Sequence, residues 1–279
     1  MHEHTTPTAA IEASGLSKRS GASTQDQRGE LAEADETSAW SSNQPRATGT
    51  PPRDVSLRRA AIVAGLGLLV MFLLAFSSFS AFESLVVEGD ATRTARNIAD
   101  HELLFRIITC SFVIVAGLDV LVAWALYVLL RPVNQSIALL SAWLRVAYAA
   151  VFAAALSNLV VAVSLLTDVN SRNAFGTRQL NAQVMTSVNE FKDGWNVALA
   201  IFGLHLLVLG YLVFKSVYLP RVLGILVTIA SLGYLIDSFG GFLSKSYDAN
   251  VAIFTFPGEV LLMGWLLWRG RRLQAPAIP

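Results

Sequence analysis

Charged side chains and cysteines are both scarce in this chain of 279 residues. Aspartate, glutamate, lysine and arginine make up 15% of the sequence, whereas soluble domains carry about 25%. The net charge is +1, so no strongly basic or acidic surface favours nucleic acid, and we expect no nucleic-acid partner. The single cysteine, Cys110, excludes an internal disulfide and the CxxC spacing of metal or haem attachment. We assign Cys110 to packing inside an apolar segment.

The motifs of common membrane enzymes are absent as well. No HExxH zinc-protease motif, GxSxG serine-hydrolase motif or Walker phosphate-binding loop occurs. A b-type haem needs two histidines within the spans, and His205 is the only one there. Asp119 and Asp237 lack the GxGD context of an aspartyl intramembrane protease. The sequence therefore indicates no cofactor and no metal, and the catalytic residues, if any exist, stay unknown.

What the chain does contain is apolar segments, with 54% hydrophobic residues and a mean hydropathy of +0.53. A helix crosses the hydrocarbon core with about 20 apolar residues. We predict an all-α, polytopic membrane protein: a six-transmembrane-helix bundle with short helices in the outer loops. The predicted spans are residues 60–82, 103–130, 137–166, 195–214, 222–242 and 251–268.

The ends of the chain differ from this apolar region. Residues 1–55 are rich in serine, threonine, alanine and acidic residues with few large apolar side chains, a composition that cannot offset the entropy of ordering. We therefore predict a disordered cytoplasmic tail at 1–55, a membrane domain at 56–272 and a short cytoplasmic tail at 273–279.

Arginine and lysine fall mainly on one side of the predicted bundle. By the positive-inside rule, that side faces the cytoplasm, so both termini are predicted to be cytoplasmic. The larger set lies in tails and tight turns: Arg53, Arg58, Arg59, Arg131, Lys215, Arg221, Arg269, Arg271 and Arg272. The smaller set lies in longer loops on the other side: Arg93, Arg96, Arg172, Arg178, Lys192 and Lys245.

Two outer loops carry helix signals. Asp90 is positioned to cap a short helix over residues 91–99, and Asp100 to cap the second span, since aspartate accepts hydrogen bonds from first-turn amides. The loop at 167–194 predicts an amphipathic helix that packs on the bundle, lies on the membrane surface or covers the bundle as a lid. Its apolar positions are Phe175, Leu180, Val184, Met185, Val188 and Phe191.

Ionisable residues inside the spans are the strongest candidates for a site. Counted along the helices, Asp119, Arg145, His205 and Glu259 fall roughly 14 to 17 Å from the cytoplasmic end, near the bilayer midplane. Asp237, a secondary candidate, lies nearer the outer face. Unpaired charges there are costly. We therefore predict a midplane polar cluster of these four residues, with a salt bridge between Asp119 and Arg145 across the hairpin of spans two and three.

Such a cluster has three interpretations: a structural polar core, a site that handles a ligand or ion, and a catalytic site. A break beside Glu259, at Pro257 and Gly258, is the kind of feature that transporters place at a binding site. The sequence leaves the three interpretations open.

Several segments carry a family resemblance. They are YVLLRPVN with LLSAWLRVAYA, GLHLLVLGYLVFKSVYLPRVLG, GYLIDSF and GDATRTARNIADHELLFR. Together they resemble the bacterial integral membrane family known as domain of unknown function 4386, over about residues 58–270. The resemblance implies a bacterial multi-span membrane protein and no activity, cofactor or catalytic residue. Arg131, Arg145, His205, Tyr211, Pro220 and Asp237 lie within the similar segments.

We therefore expect a multi-pass protein of the bacterial cytoplasmic membrane. Its predicted function is non-enzymatic: a membrane scaffold or a small-ligand binding protein with a buried polar cluster. A proton-coupled small-molecule carrier and a membrane-embedded enzyme are the alternatives. The expected partner is the lipid bilayer; a small-molecule ligand and a homo-oligomer remain open.

Overall fold

The computed structural model describes residues 55–169, 175–244, 247 and 249–272. The predicted tails, at residues 1–55 and 273–279, lie outside these ranges except for Val55. The helices are α1 (Leu57–Leu85), α2 (Ala91–Asp100), α3 (Glu102–Leu130), α4 (Gln135–Thr167), α5 (Thr177–Lys215), α6 (Arg221–Leu243), α7 (Val251–Thr255) and α8 (Pro257–Arg269), followed by a 3-10 turn at Gly270–Arg272.

Six helical segments are long and apolar enough to cross a membrane: α1, α3, α4, α5, α6 and the segment from α7 to the 3-10 turn. The predicted six-span, all-α fold is thus confirmed, and the chain is a multi-pass membrane protein. Large apolar side chains cover the outside of the bundle; Phe76, Trp143 and Leu73, for example, are 69%, 64% and 58% exposed. Such an apolar exterior suits a hydrocarbon surrounding.

The spans form a closed ring. Each packs against the next along the chain, α1 on α3, α3 on α4, α4 on α5 and α5 on α6, while α8 contacts both α6 and α1. We call the side with the α3–α4 turn and the 3-10 turn the basic side, and the opposite side, which holds α2, the loop side. The ring makes α1 and α8 neighbours although they lie at opposite ends of the domain.

Small residues let these helices approach closely near the basic side. A methyl group added at Gly224 of α6 would lie 2.5 Å from the backbone nitrogen of Phe214 of α5. At the α1–α8 contact, one added at Gly65 would lie 3.1 Å from the Leu267 side chain. Because lipid tails are as apolar as leucine, close van der Waals packing of this kind, rather than the hydrophobic effect, joins membrane helices.

The loop side confirms one expectation and corrects two. Asp90 does cap α2, accepting a hydrogen bond from the Arg93 amide at 2.9 Å. Asp100, however, is the last residue of α2, and α3 follows His101, which makes no capping bond through its side chain. The amphipathic segment is not a separate helix, because α5 runs unbroken from Thr177 to Lys215.

The start of α5 packs into the bundle instead of covering it as a surface lid. Val184, Val188 and Phe191 are almost fully buried, and the Phe191 ring centroid lies 5.3 Å from that of Phe82 of α1. That packing is one of the three expected arrangements, whereas Cys110 departs from expectation: it is exposed on α3 rather than packed inside. An apolar residue in a membrane helix suits lipid and protein equally, so its hydrophobicity does not indicate which it faces.

Candidate functional site

A cavity of about 480 Å³ is lined by all six spanning segments. Each segment therefore contributes to one shared space inside the ring. The lining residues are Leu68, Met71, Phe72, Ala75, Phe76, Phe79 and Ser80 of α1; Val115 and Asp119 of α3; Arg145 and Tyr148 of α4; Trp195, Leu199 and Phe202 of α5; Tyr234 of α6; Phe256; and Glu259, Val260 and Met263 of α8.

The ion pair predicted between α3 and α4 is present. Nη2 of Arg145 lies 2.8 Å from Oδ1 of Asp119, and both side chains are almost fully buried. The contact is an ion pair rather than an aligned hydrogen bond. The tight turn that joins these helices places the two residues at one depth, and Asn134 fixes the start of α4 by accepting a hydrogen bond from the Ile137 amide at 3.0 Å.

His205 of α5 contacts the other terminal nitrogen of the guanidinium, Nη1. Its Nδ1 lies 2.8 Å from the carbonyl oxygen of Ser141, and its Nε2 lies 3.3 Å from Nη1 of Arg145. A carbonyl oxygen only accepts and a guanidinium only donates, so these partners together require the neutral ring with its proton on Nδ1. His205 therefore positions Arg145 without adding charge to the cavity.

Glu259 reaches the cavity just after a local interruption of the sixth span, at which Phe256 keeps helical backbone angles. The span changes from α7 to α8 at Phe256, and Pro257 opens α8, where a residue without an amide hydrogen is tolerated. Gly258 brings α8 against α6, since a methyl group there would overlap the carbonyl oxygen of Leu226. The Glu259 carboxyl then interacts with Tyr234 and, electrostatically, with Arg145 and Asp119.

Four buried polar atoms in this group have no hydrogen-bond partner among the described residues. They are Oδ1 and Oδ2 of Asp119, Nε of Arg145 and Oε1 of Glu259, of which Oδ1 of Asp119 takes part in the ion pair. Buried polar groups are normally paired, because removing them from water without a new hydrogen bond costs about 1 to 3 kcal/mol. The structure thus brings the four predicted cluster residues together and leaves part of their bonding capacity unused beside the cavity.

Aromatic rings form the remaining wall, and they are not among the site residues predicted from the sequence. The Phe202 ring centroid lies 4.8 Å from that of Tyr148 and 5.3 Å from that of Tyr234, and the Arg145 guanidinium lies 5.4 Å from the Phe202 centroid. The available signal was helical spacing, since Trp195 and Phe202 are seven residues apart and share a face.

Residues 63–270 match the family described as Domain of unknown function (DUF4386). The chain belongs to this family. The DUF4386 region contains the four cluster residues, the cavity lining and Asp237. A similar uncharacterized protein occurs in the archaeon Archaeoglobus fulgidus; it is 38% identical over 157 residues, which cover 56% of this chain and 80% of the relative. No solved structure matches the chain.

Asp237, the secondary candidate within the DUF4386 region, lies away from the cavity lining. Its carboxylate accepts hydrogen bonds from the amides of Val251 and Ala252 at 2.8 and 2.7 Å and from the Tyr247 hydroxyl at 2.7 Å. These bonds cap the first turn of α7 from α6. The bond to Asp237 raises the pKa of Tyr247 to about 12. Asp237 therefore joins the loop side of α6 to the start of the sixth span.

Proposed function

We propose that this DUF4386 protein is a small-ligand binding protein whose ligand occupies the cavity inside the ring. One observation carries the proposal: the cavity meets buried polar atoms that the described protein groups leave without hydrogen bonds. Ligand sites in proteins are concave and mostly apolar, with a few polar groups that orient the ligand. A purely structural polar core would gain stability by pairing those atoms.

The proposal is tested by binding of neopentylbenzene, a small neutral probe, in bilayer nanodiscs. At a concentration about 100-fold above its Kd, a ligand that binds only the folded state adds about 2.7 kcal/mol of stability, measured as a rise in Tm. Ala75→Phe, which fills the cavity from α1, should abolish this rise. Its control, Ala150→Phe, adds the same ring at an exposed position of α4 and should keep it. An equal rise in both variants would place the probe outside the cavity.

A proton-coupled carrier is the second candidate, favoured by the break between α7 and α8 beside Glu259. Carriers use such discontinuous helices at their binding sites. A carrier should accumulate solutes in proteoliposomes in a pH-dependent way, and Glu259→Gln should abolish that accumulation in a protein that still folds. Uptake that is independent of Glu259 would remove this candidate.

The proposal also includes the membrane in which the protein lies and its orientation there. The distribution of arginine and lysine supports an orientation with both termini in the cytoplasm, and the family resemblance is the basis for a bacterial cytoplasmic membrane. The basic side would then face the cytoplasm and the loop side the exterior. Reporter fusions after Arg272 and within the α4–α5 loop should report opposite sides of the membrane.

A further inference from the structure

The buried charges of the cavity do not balance. Asp119 and Arg145 form an ion pair at 2.8 Å, and His205 is neutral in the tautomer that its partners require. Glu259 is therefore left as the excess negative group, which gives the cluster a formal charge of −1 when both carboxyls are ionised. Its Oε1 has no hydrogen-bond partner among the described residues. An uncompensated carboxylate in an apolar region is costly, and a positive group beside it removes that cost.

The rest of the cavity suits an organic cation better than a metal ion. Within the described ranges, no cluster of three histidine, cysteine, aspartate or glutamate side chains could hold a metal, whereas hard cations take several oxygen ligands. Aromatic rings dominate the wall instead, among them Tyr148, Trp195 and Tyr234. The faces of such rings attract ammonium groups electrostatically.

The cavity also reaches the lipid-facing surface. Phe76 and Phe79, which line it from α1, are 69% and 44% exposed. Toward the basic side, α1 and α8 close against each other, with Gly65 beside Leu267. Farther toward the loop side, the contact across this seam is a stacked pair of rings, Phe72 and Phe256, with centroids 5.8 Å apart. A molecule dissolved in the bilayer would meet the cavity along this part of α1.

We infer that the ligand of the cavity is an amphiphilic organic cation, which sets its positive group beside Glu259 and its apolar part among the aromatic rings. This inference rests on the proposed function and names its ligand class. Arg145 does not favour an anion instead, because Asp119 already neutralises its charge. The ligand comes from the bilayer, where amphiphilic cations concentrate.

The test compares two probes of nearly equal shape. Benzyltrimethylammonium carries a positive nitrogen where neopentylbenzene has a neutral carbon. Apparent Kd values are obtained from the concentration dependence of Tm in nanodiscs. The cation should bind the parent at least tenfold more tightly than it binds Glu259→Gln, which corresponds to about 1.4 kcal/mol. Neopentylbenzene should bind parent and variant within about twofold.

Controls and contrary outcomes are separate for the two proposals. Glu190→Gln removes a carboxylate at an exposed position of α5 and should leave cation binding unchanged. Equal cation affinity in the parent and Glu259→Gln would overturn the inference. If Glu259→Gln does not fold, the two probes are compared on the parent protein alone. The inference requires that benzyltrimethylammonium bind the parent more tightly than neopentylbenzene does. If only the neutral probe binds, the inference that the ligand is a cation is wrong and the proposed ligand-binding function stands. If neither probe binds, both the inference and the proposed function are wrong.

Discussion

Asp119 and Glu259 are both carboxyl groups at the cavity of a membrane bundle, and they differ in what surrounds them. Asp119 lies within the unbroken helix α3 and faces Arg145 at 2.8 Å. Both carboxyls keep an oxygen without a hydrogen bond among the described residues. Glu259, in the first turn of α8, interacts with Tyr234 and is reached by Arg145 only electrostatically. The same chemical group can thus fasten helices together at one place and remain available for a ligand at another. The difference is decided by the neighbouring charge.

The largest expected loss of stability comes from breaking the ion pair between Asp119 and Arg145. Arg145→Ala leaves Asp119 as a buried charge without its partner, and breaking such a pair costs about 3 to 5 kcal/mol. Reversible denaturation in detergent, or the loss of Tm, measures the effect. Arg106→Ala is the control: Arg106 also contacts a carboxylate, Glu102, at 2.7 Å, but both side chains are well exposed, so the loss should be about 0 to 1 kcal/mol.

A double substitution distinguishes two causes of the lost stability: an unpaired buried charge and the loss of the contact itself. Asp119→Asn combined with Arg145→Gln removes both charges and keeps a polar side chain at each position, so it should recover much of the stability lost in Arg145→Ala. If Arg145→Ala melts like the parent, the ion pair does not hold α3 to α4.

His205→Ala should have the next largest effect. It leaves one guanidinium nitrogen of Arg145 without its partner and removes the second contact of the Ser141 carbonyl, and an unsatisfied buried group costs about 1 to 3 kcal/mol. Thermal unfolding measures the loss. His101→Ala, at an exposed position without a capping bond through its side chain, should change Tm little. A His205 variant as stable as the His101 variant would contradict the positioning of Arg145 by this ring.

Asp237 offers a third carboxyl for comparison, one that bonds to helix amides. Asp237→Ala should cost about 1 kcal/mol, the usual effect of losing a helix cap. Affinity for benzyltrimethylammonium should stay unchanged, because Asp237 does not line the cavity. Asp193→Ala, at an exposed position of α5, controls for the loss of a carboxylate. A large drop in cation affinity in Asp237→Ala alone would mean that this carboxylate, too, takes part in binding.

The sequence predicted the depth of the charged residues better than the space between them. Asp119 and Arg145 could be paired from helical rise and a tight turn, because both quantities follow from local geometry. The contact between α1 and α8 joins distant parts of the chain, so no local pattern indicated the ring or its cavity. The unbroken α5 was missed for a related reason: its polar loop-side portion reads as a loop helix, although the backbone continues into the span.

Hydrophobicity also failed to separate the inside of the ring from its outside. Phe72 and Phe202 line the cavity, whereas Trp143 is 64% exposed and Cys110 lies on the outer surface. In water, an apolar face indicates the core; in a bilayer, lipid and protein are both apolar, so the same pattern fits either side. Only the charged residues carried a clear inward signal, since charge is excluded from lipid.

The smallest expected change in stability belongs to Glu259→Gln. The substitution keeps the size of the side chain and removes a negative charge that no described group fully balances. The free energy of unfolding should therefore change by less than about 1 kcal/mol in either direction. Glu190→Gln should be equally mild. The two variants should differ in function alone, because Glu259 meets the cavity and Glu190 does not. A loss as large as that of Arg145→Ala would show that Glu259 is paired as firmly as Asp119, and the difference between the two carboxyls would disappear.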